Sequence, residues 1–455
     1  MERKNPLSFI KRLTPGQLLI LYYAVSILAG SALLSLPAAA QNGSLSFIDA
    51  LFTATSAQCV TGLTVVDTGT SLSLFGQMVV LGLIQLGGLG VTTFSVYLFF
   101  FLQLGAGIRG RWIIHETLLH SPVSSLRELV RGIIFMALAI ETAGVIILAA
   151  VFVPRLGLGK GLFSALFHSI SAFCNAGFSL FPDSLISYRG NMVLNVTIMV
   201  LIVLGGIGFL VIREVRDIIL GRGKRLSLHS KVVLWTSAIL ILGGAGIIAA
   251  SENTGALNGL PIPEKVATAF FQSVTARTAG FNTIDMNALS ISTLLLMIFL
   301  MFVGASPGSA GGGIRTTSLA LFAAILYNRL KGNRSTNIFR RTVSDEAVSK
   351  ALALFLLAFL VVGVGLFALL LIQHPGSSSR QHDAVFLQYL FETVSAFATV
   401  GLSMGATALL TVWGKALIVI LMFVGRVGLL TLAFTIAGRV SPIAPRYAQE
   451  NLMIG

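Results

Sequence analysis

The chain has 455 residues, of which 55% are hydrophobic and 11% are charged, and its mean hydropathy is +0.90. This composition excludes a water-soluble globular protein and indicates a protein of the membrane. Two cysteines in so long a chain exclude a disulfide-stapled secreted fold, while the net charge of +14 has to be explained by where the basic residues lie.

Eight apolar runs approach the roughly 20 residues that a spanning helix needs. They cover residues 18–36, 78–102, 132–153, 192–212, 232–250, 291–327 with an interruption, 351–372 and 416–436. The first run follows a basic stretch, as in a signal peptide, but its length favours a retained transmembrane helix. The sequence thus predicts an all-α membrane protein with eight transmembrane helices.

The basic residues predict its orientation. Both ends of the chain and the three even-numbered connections carry 22 of the 31 Lys and Arg but 8 of the 17 acidic residues. The positive-inside rule makes this face cytoplasmic, with both termini on it and the protein in the cell membrane. The net charge therefore needs no nucleic acid to explain it. The basic connections suit either a docking partner or anionic membrane lipid.

Four similar motifs lie in the connections that follow the odd-numbered spans. They are C-V-T-G-L at 59–63, C-N-A-G-F at 174–178, R-T-A-G-F at 277–281 and A-T-V-G-L at 398–402. Ten residues before each glycine stands a phenylalanine: Phe52, Phe167, Phe270 and Phe391. Six residues before stand Ser56, Ser171, Val274 and Ser395. The sequence therefore predicts four repeats, each made of a spanning helix, a short outer helix, a loop that carries the glycine, and a second spanning helix.

Four equivalent loops predict a pore, because non-helical backbone at membrane depth must be buried in protein or line water. Rings of backbone carbonyls can replace the water shell of a monovalent cation, and glycine lets a carbonyl turn towards the ion. Asp67 and Asp285 lie five residues after their glycines and Asp183 lies six after its own. They suit either a cation-concentrating outer mouth or the capping of a turn.

The four loops, the two-span repeat and the interrupted sixth span resemble the Trk/Ktr/HKT superfamily of potassium transporters, most closely the bacterial Ktr membrane subunit, over roughly residues 14–440. The resemblance implies a homodimer bound to a cytosolic ring of nucleotide-binding regulatory subunits, with K⁺ as the transported ion. It leaves open whether Na⁺ activates transport, and it implies no other cofactor in the chain. It also assigns the selectivity filter to Cys59, Val60, Thr61, Gly62, Cys174, Asn175, Ala176, Gly177, Arg277, Thr278, Ala279, Gly280, Ala398, Thr399, Val400 and Gly401.

Three positions of these loops depart from an ordinary carbonyl filter. The resemblance leads one to expect a hydroxyl or amide residue where Cys59 and Cys174 stand. The two thiols are expected to be packed behind their loops, with a functional disulfide as the alternative. Arg277 is expected to point outward and to hold its loop by hydrogen bonds, with Glu392 as one candidate partner.

The sixth span is interrupted by residues 304–313, whose glycines and Pro307 cannot propagate a helix. The resemblance makes this segment an intramembrane gate. Its candidate residues are Gly304, Ser306, Gly308, Ser309, Gly311, Gly312 and Gly313. Arg426 should face the interior, with the carbonyls of 311–313 as partners and either a gating or a purely structural role. Glu141 is expected to be a hydrogen-bonded interior carboxylate.

No catalytic pair is recognisable among so few charged residues, so no enzyme is predicted. The alternative function is a secondary transporter that couples Na⁺ or H⁺ through broken helices. The predicted organisation is a cytoplasmic N-terminus 1–13, pore repeats 14–103, 132–213, 232–327 and 351–438, cytoplasmic connections 104–131, 214–231 and 328–350, and a cytoplasmic C-terminus 439–455.

Overall fold

A computed structural model describes residues 14–41, 43–105, 126–223, 225–333, 335–374, 383–429 and 431–432. The predicted terminal regions 1–13 and 439–455 lie outside these residues, as does most of the connection 104–131. The described chain is mostly helical, and its two short strands, β1 (Asn337–Ile338) and β2 (Arg341–Thr342), form an antiparallel ribbon.

The helices follow the predicted repeats. The first repeat contains α1 (Pro15–Leu34), α2 (Phe47–Gln58) and α3 (Leu74–Gly105). The second contains α4 (Leu126–Leu156), α5 (Leu158–Phe173), α6 (Met192–Ile207) and α7 (Phe209–Ile219). The third contains α8 (Leu228–Ser251), α9 (Ile262–Thr275), α10 (Ile291–Val303) and α11 (Thr316–Leu330). The fourth contains α12 (Asp345–Gln373), α13 (Asp383–Phe397) and α14 (Val412–Val427).

Hydroxyl and amide side chains fix where many of these helices begin. Thr14, Ser46, Ser290 and Thr411 each accept a hydrogen bond from a backbone N–H in the first turn of α1, α2, α10 and α14. Such caps satisfy donors that the helix itself leaves free. The helix starts are therefore encoded locally, by short polar residues just ahead of apolar runs.

Four helices among the described residues are long and apolar enough to cross a membrane, and a bent pair makes a fifth if it counts as one span. The four lie in α1, α4, α8 and α12, which confirms the first, third, fifth and seventh predicted runs. The full count of eight spans stays a prediction.

The fourth and the eighth predicted spans differ from the straight helices that hydropathy predicts. The run 192–212 is bent by 105° between α6 and α7. Gly208 lies at this break with φ of 90°, and Gly428 ends α14 with φ of 91°. Hydropathy misses these breaks because the residues on both sides of each glycine are apolar.

The four short helices α2, α5, α9 and α13, here called the loop helices, each pack against the second span of the preceding repeat. Thus α3 packs on α5, α6 on α9 and α10 on α13, while α14 of the last repeat packs on α2 of the first. A buried cluster that contains Tyr23, Phe52 and Leu421 fills this last junction. The repeats therefore form a closed ring in chain order.

Large apolar side chains remain exposed on the outer faces of the long helices. Phe135 is 75% exposed, Phe359 69% and Leu242 61%. In water such side chains would cost hydrophobic free energy, whereas a bilayer solvates them. The outer surface thus supports the assignment of an integral membrane protein.

Candidate functional site

The four loops that follow the loop helices, residues 59–62, 174–177, 277–280 and 398–401, share one backbone conformation and are here called the glycine loops. In each, the final glycine has positive φ: 93° at Gly62, 71° at Gly177, 81° at Gly280 and 92° at Gly401. The residue two positions earlier also has positive φ, at 56° to 69° for Val60, Asn175 and Thr278 and 52° for Thr399. Two positive-φ residues within four positions belong to neither helical nor extended backbone, so each loop leaves the hydrogen-bond pattern of the helix before it.

The glycines of neighbouring loops touch in chain order. A Cβ built on Gly62 would meet the backbone of Ala176 closer than 3.0 Å, which real Cβ atoms essentially never show. The same holds for Gly177 against Ala279, Gly280 against Val400 and Gly401 against Thr61. The four contacts close a ring, here called the glycine ring, and leave no room for a side chain at any of its four corners. All sixteen residues of the loops are buried.

Hydroxyl groups hold each loop to its own helix. Ser56 and Ser395 accept hydrogen bonds of 3.1 Å from the backbone N–H of Gly62 and Gly401. Ser171 instead donates to the carbonyl of Phe178 at 2.8 Å. Each of these three serines stands six residues before its glycine, at the position that the aligned motifs share.

The third repeat corrects the sequence alignment by one residue. Thr275 donates to the Phe281 carbonyl at 2.5 Å, as Ser171 does in the second repeat, whereas Val274 carries no hydroxyl. Phe271 is buried, with 1% exposure, while the predicted Phe270 is only partly buried. Thr275 thus lies five residues before Gly280, whereas the matching Ser171 lies six before Gly177. The third repeat therefore has one residue fewer between the helix side chain that holds the loop and the glycine, which an alignment on the glycines alone cannot detect.

The cysteines are packed behind their loops as expected. Cys59 and Cys174 are both free and buried. The Cys174 thiol lies 3.6 Å from the side-chain oxygen of Gln85, and the Gln85 amide donates to both oxygens of Glu141 at 3.2 and 3.0 Å. Glu141 is thus the hydrogen-bonded interior carboxylate that the sequence indicated.

Arg277 forms a hydrogen bond, as expected, but to an acceptor other than Glu392. Its guanidinium donates to Ser237 Oγ of α8 at 3.0 Å. Glu392 accepts instead from Thr407 at 2.7 Å, from the backbone N–H of Met404 at 3.2 Å and from Ser403. Of the two predicted alternatives, Glu392 or another nearby acceptor, Glu392 is therefore wrong, because the segment after the fourth loop already occupies its acceptor oxygens.

On one side of the ring lies a cavity of about 260 Å³ lined by all four loop glycines. Asp67 and Asp183 also line it, and each has a local partner: Asp67 accepts from Thr70 and Asp183 from Ser187. The carboxylates combine the two roles that the sequence left open, a cavity wall and a turn cap. Asp285 is outside this lining, is exposed, and accepts from the backbone N–H of Asn287 at 3.0 Å.

On the other side of the ring lies the segment 304–313, here called the glycine-rich segment. A Cβ on Gly311 would collide with the Thr278 hydroxyl, and a Cβ on Gly312 with that of Thr399. These threonines are the positive-φ residues of the third and fourth loops. The segment therefore packs directly against the loops at Thr278 and Thr399.

The segment is anchored to the break in the second repeat. Ser306 N–H donates to the Gly206 carbonyl at 3.0 Å, and Ala310 N–H donates to the Gly205 carbonyl at 3.1 Å. Phe209 N–H, at the start of α7, donates to the Gly308 carbonyl at 3.3 Å. The bend at Gly208 thus frees backbone groups that a straight helix would have used internally.

Arg426 reaches the segment from the fourth repeat. Only 2% exposed, it donates to the carbonyl of Ala310, to that of Gly87 at 2.8 Å and to the Tyr23 hydroxyl at 3.2 Å. The sequence predicted the carbonyls of 311–313 as partners. This prediction is wrong, because the arginine binds the carbonyl of Ala310, one residue earlier. The arginine joins the first, third and fourth repeats at one point.

Arg315, which the sequence did not single out, lies just after the glycine-rich segment with φ of 86°. Its guanidinium donates to the Ser306 carbonyl at 3.3 Å and to that of Gly311. The available signal was a basic residue inside an apolar run, which is costly in a membrane unless it serves a function.

Comparison with known proteins identifies the family. The model of the family TrkH, cation transport protein, matches residues 17–441. The chain is 41% identical to Ktr system potassium uptake protein B of Bacillus subtilis (strain 168), over 94% of each chain. It is 37% identical to potassium/sodium uptake protein NtpJ of Enterococcus hirae, over 98% of each.

The fold is also similar to a solved one. The crystal structure of the potassium transporter TrkH from Vibrio parahaemolyticus superimposes with a TM-score of 0.73 and 18% sequence identity, covering 95% of this chain and 86% of that one. The family match, the relatives and the fold agree with the resemblance drawn from the loop motifs, and the chain belongs to the TrkH family of cation transport proteins.

Proposed function

We propose that this protein is the membrane subunit of a potassium uptake system, in which K⁺ passes through the glycine ring. The observation that carries the proposal is the repetition of the same two positive-φ positions in four loops that touch in a closed ring. Such backbone offers carbonyl oxygens to an ion from four sides without placing a fixed charge in its path. The relatives named as potassium uptake proteins support K⁺ as the ion.

In this proposal the ion enters from the cavity lined by Asp67 and Asp183. It loses water on entering the ring, where carbonyls of the four glycine loops replace that water. The negative charge of the cavity wall concentrates cations in front of the ring. Asp285, which is exposed away from the cavity lining, contributes less than the sequence suggested.

The glycine-rich segment serves as the gate. It lies against the inner end of the ring, on the route between the ring and the cytoplasmic side, and arginines hold it from two directions. Glycine-rich backbone can be displaced without moving bulky side chains. Arg426 and Arg315 also add positive charge to the pathway, which opposes cations while the segment is in place.

The assembly belongs to the same proposal. Eight spans place both termini in the cytoplasm of a cell-membrane protein, which acts as a homodimer on a cytosolic ring of nucleotide-binding regulatory subunits. The relatives' names describe a Ktr system of more than one lettered protein, which supports a separate partner.

Rubidium uptake tests the function directly. Purified protein in liposomes should take up ⁸⁶Rb⁺ down its gradient, and unlabelled K⁺ should compete for uptake far better than Na⁺. Liposomes without protein give the background. Absence of uptake above this background, or equal competition by Na⁺, would reject the proposal.

A second candidate is Na⁺-coupled uptake, favoured by the name of the Enterococcus relative, a potassium/sodium uptake protein. Coupling predicts that an inward Na⁺ gradient drives rubidium accumulation above its own equilibrium. A pore predicts that Na⁺ changes the rate alone. Measuring the final rubidium level with and without a Na⁺ gradient separates the two.

A further inference from the structure

One of the four glycine loops begins with a charged residue. Cys59, Cys174 and Ala398 occupy this position in the first, second and fourth loops, and Arg277 occupies it in the third. Arg277 is 6% exposed, so its charge is held inside the protein. The third repeat is also the one in which the hydroxyl that holds the loop lies one residue nearer the glycine. The ring is therefore fourfold in backbone and asymmetric in charge.

The Arg277 guanidinium points away from the ring and has little to bind. One nitrogen donates to Ser237 Oγ, while Nε has no partner among the described residues. None of the ion pairs found in the described part of the chain includes Arg277. Because arginine keeps its proton in proteins, this position carries a positive charge that no carboxylate contact neutralises.

The other buried charges around the ring are engaged elsewhere. Glu141 is bound by the Gln85 amide, and Glu392 by groups of the outer segment. Arg315 and Arg426 donate to carbonyls of the glycine-rich segment or its neighbours. Arg277 is thus a positive charge beside the ring, and no carboxylate among the described residues contacts it.

We infer that Arg277 sets the cation affinity of the glycine ring. Its positive charge makes each ion in the ring less stable, and weaker binding favours release, which conduction requires. The field acts on the charge of the ion and not on its radius. Arg277 therefore raises the half-saturating concentration of K⁺ and of Na⁺ alike, and leaves the preference between them to the carbonyls. This inference rests on the proposed function.

The experiment compares ⁸⁶Rb⁺ uptake against rubidium concentration for wild type, Arg277→Gln and Arg277→Lys in liposomes. A unit charge about 10 Å away at an effective dielectric constant of about 20 to 40 changes affinity roughly 4- to 16-fold. Arg277→Gln should lower the half-saturating concentration by this factor, and Arg277→Lys should stay within about twofold of wild type. The ratio of K⁺ to Na⁺ competition should change little in either variant.

Ser237 provides an independent test that keeps the arginine. Ser237→Asp places a carboxylate against the guanidinium and should lower the half-saturating concentration as Arg277→Gln does. Ser237→Asn, of nearly the same shape and uncharged, should not. The rise of the thermal unfolding midpoint with added Rb⁺ in detergent reports the same affinity for any variant that folds without conducting.

The possible results distinguish a failure of this inference from a failure of the proposed function on which it rests. Wild-type liposomes without rubidium uptake would reject the proposed function. Uptake with the same half-saturation in wild type, Arg277→Gln and Ser237→Asp would reject the role of Arg277 alone. An equal shift in Arg277→Lys and Arg277→Gln would also overturn it, since shape and not charge would then decide.

Discussion

At the scale of single residues, the ring depends on positions where backbone approaches backbone. Gly62 and Gly401 combine positive φ with a neighbouring carbonyl where a Cβ would lie. A side chain there suffers both left-handed strain, about 1 to 2 kcal/mol, and a collision with a group that cannot rotate away. Gly405 separates the two effects, because it has φ of 87° but nothing within 4 Å of its Cβ position.

Replacing Gly62 or Gly401 by serine should reduce the discrimination of K⁺ over Na⁺ by about tenfold, or about 1.4 kcal/mol, without abolishing assembly. The added Cβ displaces one quarter of the carbonyl ring. Competition by K⁺ and Na⁺ against rubidium uptake measures the effect. Gly405→Ser, the matched control, should lose some thermal stability and keep its selectivity. Unchanged selectivity in both ring variants would show that these loops are not the filter.

At the scale of elements, the glycine-rich segment is held by backbone groups that broken helices leave free. The break at Gly208 supplies carbonyls and an N–H from the second repeat, and Arg426 supplies donors from the fourth. A segment held by hydrogen bonds can be released without loss of buried apolar area, so its displacement costs little compared with unfolding a helix.

Weakening the hold of Arg426 should raise rubidium flux. Arg426→Ala removes both the hydrogen bonds and the charge, while Arg426→Gln keeps some hydrogen bonding. We expect flux to rise severalfold in both, most clearly without a regulatory partner, with K⁺ preference nearly intact. Shortening the segment by residues 310–313 should act in the same direction, because Gly311 and Gly312 fill the space beneath the ring. Lower or unchanged flux in well-folded variants would contradict the gate.

The bend at Gly208 gives an independent test of the same element. A Cβ on Gly208 would lie 2.7 Å from the Pro307 carbonyl oxygen, so Gly208→Ala should push the segment away from α7 and raise flux. Gly221, with φ of 69° and nothing within 4 Å, is the control for strain alone. Equal flux in Gly208→Ala and Gly221→Ala would mean that the contact with the segment does not hold it.

At the scale of the whole molecule, ion pairs cross two of the seams between repeats. Lys415 of α14 lies 2.6 Å from Asp49 of α2, where the last repeat meets the first. Arg189 of the second repeat lies 2.8 Å from Glu264 of α9 in the third. The side chains of Lys415 and Asp49 are 16% and 21% exposed, so water weakens the pair without removing it.

The closing pair should stabilise the ring by about 1 kcal/mol. In a double-mutant cycle, Lys415→Met and Asp49→Asn should each lower the thermal unfolding midpoint in detergent, and the double variant should lose less than the sum. The exposed pair Lys350–Glu346, within one helix, is the comparison and should show weaker coupling. Strictly additive losses for Lys415 and Asp49 would show that the seam is closed by apolar packing alone.

Features that depend on neighbouring residues could be predicted from the sequence. Hydropathy located α1, α4, α8 and α12, because a spanning helix satisfies its own backbone hydrogen bonds and needs only apolar side chains. The repeated motif located four glycine loops and the corners of the ring, because glycine alone fits a positive φ where two backbones meet. The interruption at 304–313 followed from Pro and Gly in the same way.

The hydrogen-bond partners of these residues, in contrast, depend on the tertiary structure. Arg426 meets Gly87 and Tyr23, which lie more than 300 residues earlier in the chain, and Arg277 binds Ser237 and not Glu392. The one-residue shift in the third repeat and the bend at Gly208 could likewise not be predicted from the sequence. Gly87 and Ser237 lie inside the continuous helices α3 and α8, and only the packing of helices that are distant in the chain brings them to the two arginines, so no local pattern records these partners.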